Sequence, residues 1–371
     1  MNLYDLLVQS ADAGLDLQTE SGAMPAGHNG PWNDSETPVR NTSHWTITFL
    51  KAHEITEEPR FYEGAQRCVE YLCKSEARPN RSTFHHRKVP NKDACNGLIG
   101  QAWTIEALSI AADRLEQPEL AQLAEEVFLE HPFDDVLSVW KPVEIDGTVL
   151  EVDMTLNHQI WFAAGGAVLT QNNECSELVT ERVEVFFDEL ADIFATYQSG
   201  LIHHHLKPGT SLRKQGRVQM QNLRKRRIPQ SVVQLYRPGT GQALRRRAVG
   251  YHSFNLYGLG LLYTSFPKHP FWECSKFKKA IEFATSEQFL SDLTENQYGY
   301  PYNVSGLELA YAYHVFGSGT ELIQNQISKQ LQDHFDPNMG LLNQQTSDQT
   351  TLAARLYEAT RLPNISFTDT V

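Results

Sequence analysis

The stretch Val152-Asp153-Met154-Thr155-Leu156-Asn157-His158-Gln159-Ile160-Trp161-Phe162-Ala163 changes character within a few residues. A polar cluster, Asp153 to His158, opens onto a run of apolar, aromatic and small residues. Ser, Thr, Asp and Asn cap helix N-termini, so this reads as the start of a weakly polar helix. The same transition recurs along the chain. Arg40-Asn41-Thr42-Ser43-His44-Trp45 and Asp93-Ala94-Cys95-Asn96-Gly97 precede it, and Gly250-Tyr251-His252-Ser253-Phe254-Asn255 follows it. Asn303-Val304-Ser305-Gly306 and Ser347-Asp348-Gln349-Thr350 complete six openings. Most are separated by one helical hairpin, and each apolar helix is followed by a more charged one.

Helical periodicity dominates between the openings. Ala65, Cys68, Val69 and Leu72 recur at helical spacing, as do Ile99, Ala102, Ile105, Leu108, Ala112 and Leu115. Strand-like alternation is confined to short runs such as 148–152. Weakly polar helices among charged ones form an inner and an outer ring. The pattern predicts an all-α protein, an (α/α)6 toroid of six hairpins spanning 1–371 as one domain. The six openings then converge on one end of the barrel. Capping explains any single opening, but not the His, Trp, Tyr and Arg that several of them also carry. Aromatic rings beside amide, carboxylate and imidazole groups suit a sugar, with its apolar C–H faces and many hydroxyls.

Composition supports a large folded core. Of the 371 residues, 41% are hydrophobic and 21% charged. No run of about eighteen apolar residues is present, so no membrane span is expected. The N-terminal stretch to Asp16 carries Asp5, Asp12 and Asp16 without Lys or Arg, unlike a signal peptide. Five cysteines at irregular spacing fit a reducing, cytoplasmic setting. The net charge is −13, yet no acidic residue lies between Asp192 and Glu273, a stretch holding Arg213, Arg224, Arg237 and Arg245 to Arg247 among other cations. The longer gap before Tyr251 places a basic insertion, 206–247, at the cleft rim. Such a local field suits an anionic ligand. The repulsive overall charge and the lack of a recognition motif speak against nucleic acid.

Three constellations carry candidate chemistry. Asp93 and Asp153 begin consecutive inner helices, and two carboxylates flanking a cleft can divide acid and base roles. As helix caps they need no catalytic role. Asp34, Glu36, Glu308 and Asp348 are further carboxylates at the same end. Asn157-His158 with Tyr251-His252, assisted by Arg245 to Arg247, offers the groups for β-elimination on a uronate: neutralising the carboxylate, taking the C5 proton and protonating the leaving oxygen. His203-His204-His205 invites a metal, but adjacent residues seldom face one ion and no ligand spacing supports it. One imidazole facing the cleft is expected there, and His85-His86-Arg87 reads as rim. No cofactor-binding loop stands out, since Gly258-Leu259-Gly260 lies inside an apolar helix. Arg40, His44, Trp45, Asn96, Trp161, His204, Arg247 and His252 are the expected sugar contacts.

These residues resemble the six-hairpin glycosidase superfamily, and within it the unsaturated glucuronyl and rhamnogalacturonyl hydrolases. Asp93 matches the catalytic Asp that starts their second inner helix, and Val152-Asp153 their Val-Asp pair before the third. Gly200-Leu201-Ile202-His203-His204 is similar to a Gly-Leu-aromatic-x-His turn and points to His204. The Arg-rich helix start resembles Arg247 to Asn255, although Tyr251-His252-Ser253 stands where an Arg-Gly-Asn-Gly-Trp type segment is usual. The chain is also similar to proteins of glycan-assembly (agl-type) gene clusters. The resemblance implies hydrolysis of a C4=C5 unsaturated uronyl oligosaccharide, with Asp153 protonating the vinyl ether and activating water while Asp93 holds the ring. It leaves three other readings: a uronate lyase using Asn157, His158 and Tyr251, a non-catalytic glycan-binding or assembly protein, and an epimerase of the same architecture.

Overall fold

The computed structural model describes residues 2–173, 175–207, 215–216 and 240–367. The expected insertion, 206–247, lies outside them except for Leu206, Lys207, 215–216 and 240–247.

Six helical segments form the inner ring: α2 (Val39–Thr56), α4 (Gly97–Arg114), α6 (Leu156–Leu169), α9 (His252–Ser265), α13 (Ser305–Val315), and α15 (Gln349–Ala354) continued by a 3-10 run, Arg355–Arg361. Each starts at one of the six openings, and α8 (Thr240–Gly250), α11 (Glu287–Thr294) and α12 (Tyr300–Asn303) lie between ring helices in the sequence. Their packing closes a circle: α2 on α4, α4 on α6, α6 on α9, α9 on α13, α13 on the 3-10 run, and that run on α2. Helices in such a ring touch neighbours on every side, so they lack a polar face. Residues 39–50 of α2 and 97–109 of α4 are buried without interruption.

Outer helices show the complementary pattern. In α3 (Pro59–Leu72), Phe61, Ala65, Cys68 and Leu72 form a buried stripe, while Arg60, Glu63, Arg67 and Glu70 face solvent. It backs α2, as α5 (Pro118–Glu130) backs α4, α7 (Glu177–Ile193) backs α6, α10 (Ser275–Ala284) touches α9, and α14 (Thr320–His334) backs α13. Helix α1 (Leu3–Leu17) completes the outer ring against α2 and the 3-10 run. The first and last stretches of the described residues meet there, with Leu3 N–H donating to Ile365 C=O at 2.9 Å.

Close packing constrains α6. Its Gly166 faces the Phe128 ring and Val183, and a β-carbon there would lie 2.5 Å from Phe128. Strand structure among the described residues is confined to two two-residue hairpins, β1 (Phe133–Asp134) with β2 (Val139–Trp140) and β3 (Phe335–Asp336) with β4 (Leu341–Leu342), plus isolated bridges.

Candidate active site

The N-terminal ends of the inner helices surround a cleft of about 630 Å³. The third opening supplies its most organised group. Thr155 N–H donates to Asp153 Oδ1 at 2.9 Å, and Asp153 Oδ2 lies 2.5 Å from His158 Nδ1. The strap from His204 to Leu206 pins this turn. Leu156 N–H donates to His204 C=O and Leu206 N–H to Met154 C=O, at 3.0 and 2.9 Å. Burial pushes the Asp153 carboxyl up, but the His158 imidazole and the Thr155 bonds outweigh it and hold Asp153 well below the usual carboxylate range. An ionised Asp153 accepts the Nδ1–H of His158 and leaves Nε2 as the ring atom available to exchange a proton with a ligand.

Asp93 sits across Gly97 from this pair. It accepts from Arg87 Nη2 at 2.6 Å and from Gly97 N–H at 2.7 Å. Gly97 has φ +58°, and its missing side chain would point between Asp153 Oδ2 and His158 Nδ1. Glycine takes this left-handed conformation without strain, and it brings the two openings together. Asp34 joins the same side, bonded to Lys92 at 2.5 Å with Arg87 at 3.6 Å. Both carboxylates beside Arg87 are therefore paired.

The opposite wall is aromatic and imidazole. Tyr251 accepts from Trp32 Nε1 at 2.9 Å, and burial raises its phenol well above the ordinary value, so it stays neutral. Its ring lies 5.3 Å from that of His204. Burial pushes His204 down to about 3, which keeps it neutral too, and its Nδ1 has no protein partner. Asn157 Oδ1 is likewise buried and unpartnered, a demand that a ligand N–H or O–H in the cleft would meet. Arg247 lines the cleft with its guanidinium 4.7 Å from the Trp32 ring centroid. Arg87, Lys92 and Arg355, the other lining Lys and Arg side chains, are engaged by carboxylates. Arg247 has no carboxylate at ion-pair distance among the described residues.

Asp93, Asn96, Asp153, Asn157, His158, His204, Arg247 and Tyr251 thus meet in one cleft. Five expected sugar contacts do not line it. Arg40 lies beneath the floor, bonded to Asn29 and Glu36 and stacked 4.2 Å from Trp103. His44 is a turn deeper, stacked on Tyr357 at 4.2 Å and buried neutral by desolvation. Trp45 faces outward against Gly14 of α1 and Phe49. Trp161 fills the α6–α9 contact, donating to Phe254 C=O at 3.0 Å and lying parallel to Tyr257. His252 also points outward, with Nδ1 accepting from Ile202 N–H and Nε2–H donating to Ala280 C=O. Successive helical residues fan about 100° apart, so an opening of six residues aims only some of them at the axis.

Sequence reasoning missed Trp32, Tyr302 and Arg355, and named Asn303 only as part of an opening. Trp32 sits in Asn29-Gly30-Pro31-Trp32-Asn33, where a bulky ring among turn formers is a detectable signal. Arg355 bonds Asn303 at 2.8 Å, Glu308 at 2.9 Å and Glu358, all buried. Burial drives both glutamates up, Glu358 to about 7. The Arg-x-x-Glu inside an apolar run, Arg355 to Glu358, was its sequence signal. Among the described residues no cluster is placed to hold a metal, and no helix is long and apolar enough to cross a membrane.

A closed double ring of helices with a polar cleft at the inner N-termini is the six-hairpin (α/α)6 class. The same fold is seen in a cellobiose 2-epimerase from Spirochaeta thermophila, with TM-score 0.65 and 14% identity over 97% of this chain and 96% of that one. An α-1,6-mannanase from Salegentibacter shares it at TM-score 0.56 and 10% identity, over 96% and 98%. In sequence the chain is 45% identical over 363 residues, 97% of either chain, to archaeal glycosylation protein Q of Haloferax volcanii. It belongs to the family of that protein. No protein-family model matches it.

Proposed function

We propose that the protein is an enzyme that processes an acidic sugar of an oligosaccharide in glycan assembly, with the Asp153–His158 pair moving the proton. That pair carries the reading. An imidazole backed at Nδ1 by an ionised carboxylate, at 2.5 Å, is a general acid–base unit. The glycosylation relative and the sugar-enzyme scaffolds supply the setting. Arg247 supplies the preference for a carboxylate.

The reaction this reading favours is hydrolysis of an unsaturated uronyl glycoside. The proton source moves from Asp153, which is held ionised, to His158. The imidazolium gives its Nε2 proton to C4 of the vinyl ether, and positive charge develops at C5. Water adds at C5 and its proton returns to Nε2. The C5 hemiketal opens to a ketone, leaving a hemiacetal at C1 that expels the aglycone. Asp153 stabilises the imidazolium at both ends of the cycle, and Asp93, fixed by Arg87, holds ring hydroxyls.

A second reading is favoured by the neutral wall opposite. With Tyr251 and His204 as hydrogen-bond donors, neutral His158 would remove the C5 proton of an intact uronate, leading to β-elimination or epimerisation. Near-ultraviolet absorbance separates the two. Decay of the absorbance of a C4=C5 unsaturated uronyl disaccharide is expected. Absorbance appearing on an intact uronate oligosaccharide would replace hydrolysis by elimination. No change with either, across acidic disaccharides also tested for epimerised product, would remove the enzymatic reading.

A further inference from the structure

Residues 28–33 form a loop over the cleft that is tied to the far end of the chain. The Asp348 carboxylate accepts from His28 N–H at 2.8 Å and from Gly30 N–H at 2.9 Å, both at Oδ2. Its other oxygen accepts from Thr351 N–H and the Thr350 hydroxyl, both at 3.2 Å. Asp348 is buried and does not line the cleft. It caps the last inner helix and clamps a loop from the N-terminal side of the first. Asn29, Gly30 and Asn33 all take left-handed backbone, a shape that needs such anchoring.

The loop delivers Trp32. One edge of the indole donates to the Tyr251 hydroxyl at 2.9 Å. Its face carries the Arg247 guanidinium at 4.7 Å, and Tyr298 braces it at 5.5 Å between centroids. Arg247 has no carboxylate at ion-pair distance among the described residues, and a long arginine not held by one loses rotamer entropy whenever it is fixed for a ligand. A ring that holds the guanidinium beforehand removes part of that cost at each binding event.

We propose that Trp32 and Asp348 are positioning residues for anion recognition: Asp348 clamps the loop, and Trp32 holds Arg247 and Tyr251 ready for the carboxylate of the sugar. Neither needs to touch the reacting atoms. The inference rests on the acidic-sugar reading above, and it assigns the selectivity for acid over neutral sugar to an aromatic side chain in a turn rather than to Arg247 alone.

The test compares binding of an unsaturated uronyl disaccharide with that of its methyl ester, by calorimetry, together with KM and kcat. Trp32→Leu should weaken the acid roughly fivefold, the size of a cation–π contact at a partly desolvated site, and leave the ester within twofold. Trp32→Phe, which keeps a ring but loses the N–H, should fall between. Asp348→Ser retains a capping hydroxyl for the helix but is too short for the clamp. It should reproduce the loss, raise KM more than it lowers kcat, and speed hydrogen exchange of the His28 and Gly30 amides while the Thr351 amide stays protected. Equal weakening of acid and ester in Trp32→Leu, or an undiminished preference for the acid, would overturn the positioning role while the acidic-sugar reading stands. A wild type that binds acid and ester alike would overturn both.

Discussion

At the scale of single residues, the proposed mechanism divides one task between His158 and Asp153. Asp153 is already satisfied by Thr155 and His158, so in that mechanism it acts through the imidazole. Replacing His158 by Asn should therefore lower kcat by about 10²–10⁴-fold with a small change in KM. Loss of both parameters together, with substrate no longer bound, would make His158 a binding group instead. His252 offers a contrasting case of a histidine from an opening that serves packing. Desolvation lowers it to about 4, partly offset by its bond to Ala280 C=O. The folded protein excludes a proton that the unfolded chain accepts below about pH 6.5. The stability this group contributes is complete above that pH and is lost as pH falls toward 4. The stability advantage of wild type over His252→Gln should accordingly shrink between pH 6.5 and 4, by at most roughly 3 kcal/mol. Urea titrations of both proteins across this range check it, and a pH-independent difference would contradict the neutral assignment.

At the scale of elements, the six inner helices were legible because two signals coincided at each: a polar opening and a helix without a charged face. Asp93, Asp153 and Tyr251 came with them. Which side chains of an opening reach the cleft was not legible, because that depends on rotation about each helix axis. Trp45, Trp161 and His252 look alike in sequence to residues that do reach it, yet they point toward neighbouring helices. Arg355 escaped notice for the opposite reason. It lies two turns beyond its opening, and its long side chain leans back toward the helix N-terminus, as helical side chains do. Packing of α6 makes a separate prediction. Gly166→Ala gains about 1 kcal/mol of helix propensity but drives a methyl into Phe128 and Val183. We expect a net loss of about 1–2 kcal/mol in chemical unfolding, and a stabilised variant would show that the α6 contact is looser than the geometry implies.

At the scale of the molecule, the ring closes between its last and first inner segments, and the closure is charged. Arg355 joins α13 to the 3-10 run through Glu308 and Glu358, and Arg361 reaches Glu106 and Tyr257 on two other inner helices. Arg355→Met would leave two buried carboxyls without their cation. A loss of about 3–5 kcal/mol is expected, read from equilibrium unfolding. A change below about 1 kcal/mol would mean that the glutamates are held protonated and need no partner. The same closure brings Asp348, at the start of α15, to the loop that carries Trp32, so ring closure and the placement of Trp32 share one contact.

The measurement that bears most directly on the cleft as the site of acidic-sugar chemistry is a crystal structure of His158→Asn with an unsaturated uronyl disaccharide bound. The account predicts the uronyl ring between position 158 and the Tyr251–His204 wall, its carboxylate on Arg247 and its C4 within reach of the missing imidazole. A disaccharide bound outside the cleft, or with its carboxylate turned away from Arg247 toward Asp93, would contradict it.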